Sequence, residues 1–150
     1  MDIKAQIDQD IKHAMLAGDK TLVTTLRGVK SAILYAEVAA GARDKGLTEE
    51  AIMAVLGKEA KKRQESVDMY RQGGSEVRAQ AEAAEKSVIE KYLPAQMSDD
   101  ELERLVTAVI TELDTSGPQA MGPVIAEVKR RSGGQADGGR IARIAKEKLQ

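Results

Sequence analysis

Across 150 residues the sequence has no cysteine, no tryptophan and no phenylalanine, only three tyrosines and a single histidine. Without cysteine there is neither a disulfide framework nor a thiolate nucleophile, and one imidazole cannot supply a Cys/His zinc shell. There is no secretory h-region, and no apolar run reaches the roughly 18 residues that a bilayer-spanning helix requires. The expectation is a soluble, cytosolic protein with no membrane segment, no metal and no cofactor. Charged residues make up 31% and balance to −1, so no whole-molecule field points to a polyanion or a lipid surface.

What is abundant is Ala, Leu, Ile, Val and Met beside Glu, Lys, Arg and Gln, mostly strong helix formers. The reading is an all-α chain. Asp2 caps a first helix carrying Ile3, Ile7, Ile11 and Ala14, which Gly18 closes. Asp19 caps a second with Leu22, Leu26, Val29 and Ile33, although the β-branched run Val23-Thr24-Thr25 competes for strand. Thr48, flanked by Leu47 and Ile52 in staple positions, starts a long third helix through Leu56, Ala60, Val67 and Tyr70. Ser75 opens a fourth, with Val77, Ala81, Ala84, Val88 and Tyr92 assigned to its packing side, and Pro94 ends it. Ser98 and Glu101 form a full capping box before Leu102, Leu105, Val106, Val109 and Leu113. Met121, Val124, Ile125 and Val128 mark the next helix, in which Pro123 is either a kink or the first turn. Asp137 caps the last, which buries Ile141, Ile144, Ala145 and Leu149. The expected organisation is a four-helix domain over residues 1–94 and a three-helix tail over residues 95–150.

Enzyme motifs are wanting. His13 falls off the apolar stripe of its helix and reads as a solvated imidazole. The acidic pairs Glu49/Glu50 and Asp99/Asp100 occupy first turns, where carboxylates compensate the helix dipole. No phosphate-binding P-loop, H-E-x-x-H or nucleophile elbow occurs. The Gly133–Gly139 turn opens a helix, but a C′ glycine and an Asp cap account for it, and Asp137 repels an anion there. No catalytic residue is expected.

Charge is distributed unevenly along the chain. From Gly122 to Gln150 seven basic residues face three acids, a balance of +4 that leaves −5 for the remainder. Lys129, Arg130 and Arg131 fit helix C-terminal compensation as well as binding. Arg140, Arg143 and Lys146 are assigned to the side of the last helix opposite Ile141, Ala145 and Leu149, a solvent-facing basic stripe. With so few aromatics, stacking on splayed bases is disfavoured, and recognition of folded RNA by backbone and shape fits better. The candidate binding residues are Lys129, Arg130, Arg140, Arg143 and Lys146.

Thr25-Leu26-Arg27 with Ser31-Ala32-Ile33, Lys61-Lys62-Arg63 with Ser66 and Tyr70, and Tyr92-Leu93-Pro94-Ala95-Gln96-Met97-Ser98 leading to Glu101-Leu102 resemble the YqeY-like proteins. Met121-Gly122, Gly134-Gln135-Ala136-Asp137-Gly138 and Lys146-Glu147-Lys148-Leu149 resemble the tail of the B subunit of the tRNA-dependent amidotransferase. The resemblance implies a two-part helical accessory module whose tail helps hold tRNA. It also implies a link to aminoacyl-tRNA and the amidotransferase machinery, a glutamine-dependent carbon–nitrogen ligase whose catalytic body has no counterpart here. Gln135 stands where that turn usually carries Lys, which moves the expected phosphate contacts to Arg140 and Arg143. The alternative is a protein-interaction or homodimer scaffold that binds no RNA and uses the long helix from Thr48.

Overall fold

The computed structural model describes residues 2–150, and among them every regular element is helical. The helices are α1 (Ile3–Leu16), α2 (Lys20–Ala39), α3 (Glu49–Gln72), α4 (Glu76–Glu90), α5 (Asp99–Glu112), α6 (Met121–Ser132) and α7 (Gly138–Leu149). A 3-10 turn, Pro118–Ala120, precedes α6. The chain forms two compact units, one ending at Leu93 and the other running from Pro94 to Gln150.

Caps set most of these boundaries. The side chains of Asp2, Asp19, Thr48, Ser98 and Asp137 each accept a backbone N–H three residues on, satisfying one of the orphan donors at a helix start. At α5 the box is reciprocal: Glu101 N–H donates to Ser98 Oγ at 3.2 Å and Ser98 N–H to Glu101 Oε2 at 3.1 Å. The β-branched run of α2 is helical, its Val23 and Leu26 facing the core, and the hydroxyls of Thr24 and Thr25 donate to the carbonyls of Lys20 and Thr21 four residues back. Pro123 sits in the first turn of α6, where a missing N–H loses no intrahelical bond.

In the first unit, Ile7, Leu26, Ile33, Ile52, Leu56 and Ile89 form the centre of the core. One buried carboxylate breaks this apolar pattern. Glu37 is 2% exposed and accepts from Lys4 Nζ at 2.9 and 3.2 Å, binding α2 to α1. The long α3–α4 pair is fastened differently. Beyond Ala60 its buried residues are Val67 and Ala79 until Ile89 is reached, and polar contacts do the rest: Arg63 with Glu82 and Glu85, and Lys86 Nζ with Gln64 Oε1 at 2.9 Å.

This corrects the expected face of α4. Val77 is 82% exposed and Ala81 and Ala84 are exposed, whereas Ala79 and Ile89 are buried. Small Ala79 admits the neighbouring helix closely, and Glu82, Glu85 and Lys86 line the same side through their α3 partners. Val88 and Tyr92 of the expected face do pack against the core, so hydropathy periodicity misled only over the first part of the helix, Val77 to Ala84.

In the second unit, α5, α6 and α7 pack pairwise around Leu102, Val106, Val109, Val124, Val128, Ile141, Ile144 and Ala145. Gly133 ends α6 in the left-handed conformation at φ +55, as a C′ glycine does.

Candidate nucleic-acid interface

The apolar stripe of α7 determines where its charges stand. Arg143 is about 160° around the helix from Ile141 and faces solvent, 57% exposed. Lys146 is exposed as well. Arg140 departs from the expected stripe. It lies only about 40° from Ile144 on the helical projection, at the margin of the buried face. From there its Nη2 donates to the Met97 carbonyl at 2.8 Å and to Asp99 Oδ1 at 2.9 Å, and the side chain is 25% exposed. Arg143 reaches the same carboxylate oxygen at 3.7 Å. The hydrogen bond from Arg140, reinforced by both guanidinium charges, holds Asp99 below the usual carboxylate range.

At the end of α6, Arg130 and Arg131 are engaged too. Both donate to Glu127, at 3.0 Å from Arg130 Nε and 2.8 Å from Arg131 Nε, and Arg131 also pairs with Glu112 on α5. These bonds, Arg130 first and then Arg131, pull Glu127 down to about 2. Glu127 raises Arg130, while the bond to Glu112 and then that to Glu127 raise Arg131; the Arg131–Glu112 bond in turn holds Glu112 below the usual carboxylate range. Lys129 is different. It is exposed and forms no salt bridge among the described residues. Its side chain crosses Gly138, where a Cβ would meet its Cε and Nζ at 3.1 Å, so a cation from α6 lies over the first turn of α7.

The Gly134–Gly138 turn is a structural junction. Met97 N–H donates to the Gln135 carbonyl at 2.8 Å, Gln96 Nε2 to the Gly134 carbonyl at 3.3 Å, and Asp137 accepts Arg140 N–H at 2.9 Å. The carboxylate of Asp137 therefore occupies the N-terminus of α7.

Folding also changes the charge picture. The acidic remainder does not lie in the first unit, whose fifteen Lys and Arg equal its fifteen Asp and Glu. It lies in α5 and the turn after it, inside the same unit as α6 and α7. From Pro94 onward eight basic residues meet nine acids, a net of −1. The polarity seen along the sequence is thus largely neutralised within one fold: Asp99 and Glu112 of α5 take up Arg140, Arg143 and Arg131. Lys148 lines a shallow groove with Asp100, Glu103 and Arg104 of α5. Among the described residues Lys129 and Lys146 form no salt bridge, and Arg143 is held only by its 3.7 Å contact with Asp99.

Elsewhere the first unit holds an open cleft of about 380 Å³ whose lining includes Asp10, His13, Leu22, Val88, Lys91 and Tyr92. His13 is exposed there, as its place off the apolar stripe of α1 implies. Among the described residues no cluster of three or more His, Cys, Asp or Glu is placed to hold a metal, and no helix is long and apolar enough to cross a membrane.

Curated relatives share the name altered inheritance of mitochondria protein 41, mitochondrial. The one from Eremothecium gossypii is 34% identical over 130 residues, 85% of this chain and 70% of that protein. The Kluyveromyces lactis protein is 34% identical over 116 residues, 76% of this chain and 62% of its own length. That of Lachancea thermotolerans is 31% identical over 121 residues, 79% of this chain and 63% of its own. The chain therefore spans less than two thirds of the last two. Their names overturn the expectation of a cytosolic protein. That expectation rested on missing cysteine, h-region and membrane span, features that suit any reducing aqueous compartment. A family model described as Yqey-like protein matches residues 4–149, nearly the whole chain, and this protein belongs to the YqeY-like family.

Proposed function

We propose that this chain is a non-catalytic accessory module that holds folded tRNA by its phosphate backbone, using Lys129, Arg143 and Lys146, with Arg130 and Arg140 released from their carboxylates on contact. The observation that carries this reading is that both helices of the second unit expose cations, Lys129 of α6 over Gly138 and Arg143 and Lys146 about 60° apart on α7. The paucity of aromatics favours backbone and shape over base stacking. Support for tRNA as the RNA comes from the resemblance of residues 121–149 to the amidotransferase B-subunit tail. On the same ground the module serves glutamine-dependent tRNA amidation, the carbon–nitrogen bond being made by the partner enzyme.

The test is a titration with unfractionated tRNA across a salt series. The logarithm of affinity should fall linearly with that of salt, by about 0.7–0.9 per phosphate contact. In K129E/R143E/K146E the slope should drop by about one per lost contact, with circular dichroism unchanged. Equal binding by that variant refutes the assignment, and amide formation by the isolated chain refutes its accessory role.

A scaffold reading draws on α2 rather than on the long helix from Thr48. The α3 stripe of Ile52, Leu56, Ala60 and Val67 is buried within the chain, while Leu34, Tyr35 and Val38 of α2 are exposed on adjoining turns. A stable oligomer in sedimentation that Y35E/V38E dissolves, together with no tRNA affinity at low salt, would favour it.

A further inference from the structure

We infer that Arg140 and Arg143 form a notch for one backbone phosphate of RNA, and that in the free protein the carboxylate of Asp99 occupies the phosphate's place. This rests on the tRNA reading above and adds a mechanism of self-occlusion to it. A single oxygen, Asp99 Oδ1, lies 2.9 Å from Arg140 Nη2 and 3.7 Å from Arg143 Nη2. Arg140 donates to that oxygen and Arg143 stands within ion-pair distance of it, so two guanidinium groups, the side chain best suited to phosphate, face one anion position.

Three features make the carboxylate removable rather than structural. Asp99 is the outer partner, 63% exposed against 25% for Arg140, so an incoming anion meets it from solvent. The orientation of Arg140 does not depend on it, because the same Nη2 donates to the Met97 carbonyl at 2.8 Å. Helix α5 does not need it as a cap, since Ser98 and Glu101 close the box without it. A phosphodiester carries the same single negative charge on two free oxygens as the carboxylate, so it can take the place of Asp99 between the two arginines without changing the charge balance of the notch. Nearby acids do not substitute for Asp99: Asp137 accepts Arg140 N–H as the α7 cap, and Glu147, four residues after Arg143, forms no salt bridge among the described residues.

The experiment uses the full chain and the variant Asp99→Asn, which keeps an oxygen acceptor for Arg140 and loses the charge. Unfractionated tRNA at low salt should bind D99N about fivefold more tightly than the wild type, the Coulomb equivalent of one charge pair at 4 Å in water. The gain should shrink as salt rises and vanish in an R140A/R143A background. D99A, which removes the acceptor as well, should also gain. If D99N binds no better, or D99A binds worse while D99N is unchanged, Asp99 only positions the arginines and the inference fails. The tRNA reading then still stands, provided K129E/R143E/K146E has lost affinity. Absence of tRNA binding by both wild type and D99N overturns the two together.

Discussion

The hydroxyl of Tyr92 donates to Asp10 Oδ2 at 2.5 Å, joining the residues after α4 to the middle of α1 across 82 positions of sequence. Burial raises the phenol above its ordinary value of 10.0, and the bond and charge of Asp10 raise it further. Phe at position 92 would leave the half-buried Asp10 carboxylate without this donor, at a cost of about 1–2 kcal/mol in urea unfolding at neutral pH. Because the folded-state value is the higher one, the stabilisation is complete below pH 10 and declines as pH rises beyond it. The gap between wild type and Y92F should therefore narrow in alkaline solution.

Lys4 and Glu37 offer a double-mutant cycle. K4A strands a carboxylate that is 3% exposed, while Lys4 itself is 41% exposed. The expected loss is about 2 kcal/mol, less than for a fully buried pair because solvent screens the lysine end. E37Q on top of K4A should restore part of it, and simple additivity in the cycle would show that the pair does not couple.

Helix α4 can be tested on its two sides. V77K should change stability by no more than about 0.5 kcal/mol, since that side chain already faces water. A79L forces extra methylenes between α3 and α4 and should cost about 1–3 kcal/mol. The reverse ranking in thermal melts would restore the stripe read from hydropathy.

In an NMR titration the Glu127 carboxyl should protonate near pH 2. Removing both guanidinium partners in R130A/R131A should return it toward 4.5. Whatever stability the low value reflects is present above the ordinary carboxylate range and is lost as pH falls toward 2.

Helix starts were legible because a cap is a local device: one oxygen and one N–H three residues away, as at Ser98 and Asp137. The inward set of α7 was legible for a similar reason, its period being carried by Ile141, Ile144 and Leu149 themselves. What escaped was decided by partners remote in sequence. A Glu at position 37 reads as solvated until Lys4 is brought to it from 33 residues away. Arg140 reads as free until Asp99, 41 residues earlier, is folded against it. The α4 error has the same origin, because Glu82 and Glu85 line a helix interface only through Arg63. Periodicity registers hydropathy and cannot register pairing.

Near-neutrality of both compact units has a kinetic meaning. A body without a long-range field is not drawn to a polyanion from a distance, so its association rate should sit near an unsteered 10⁵–10⁶ M⁻¹s⁻¹, roughly. Ionic strength would then act mainly on how long the complex lives. A partner that confines the RNA beside it would supply by proximity the encounter rate that the protein's own field does not.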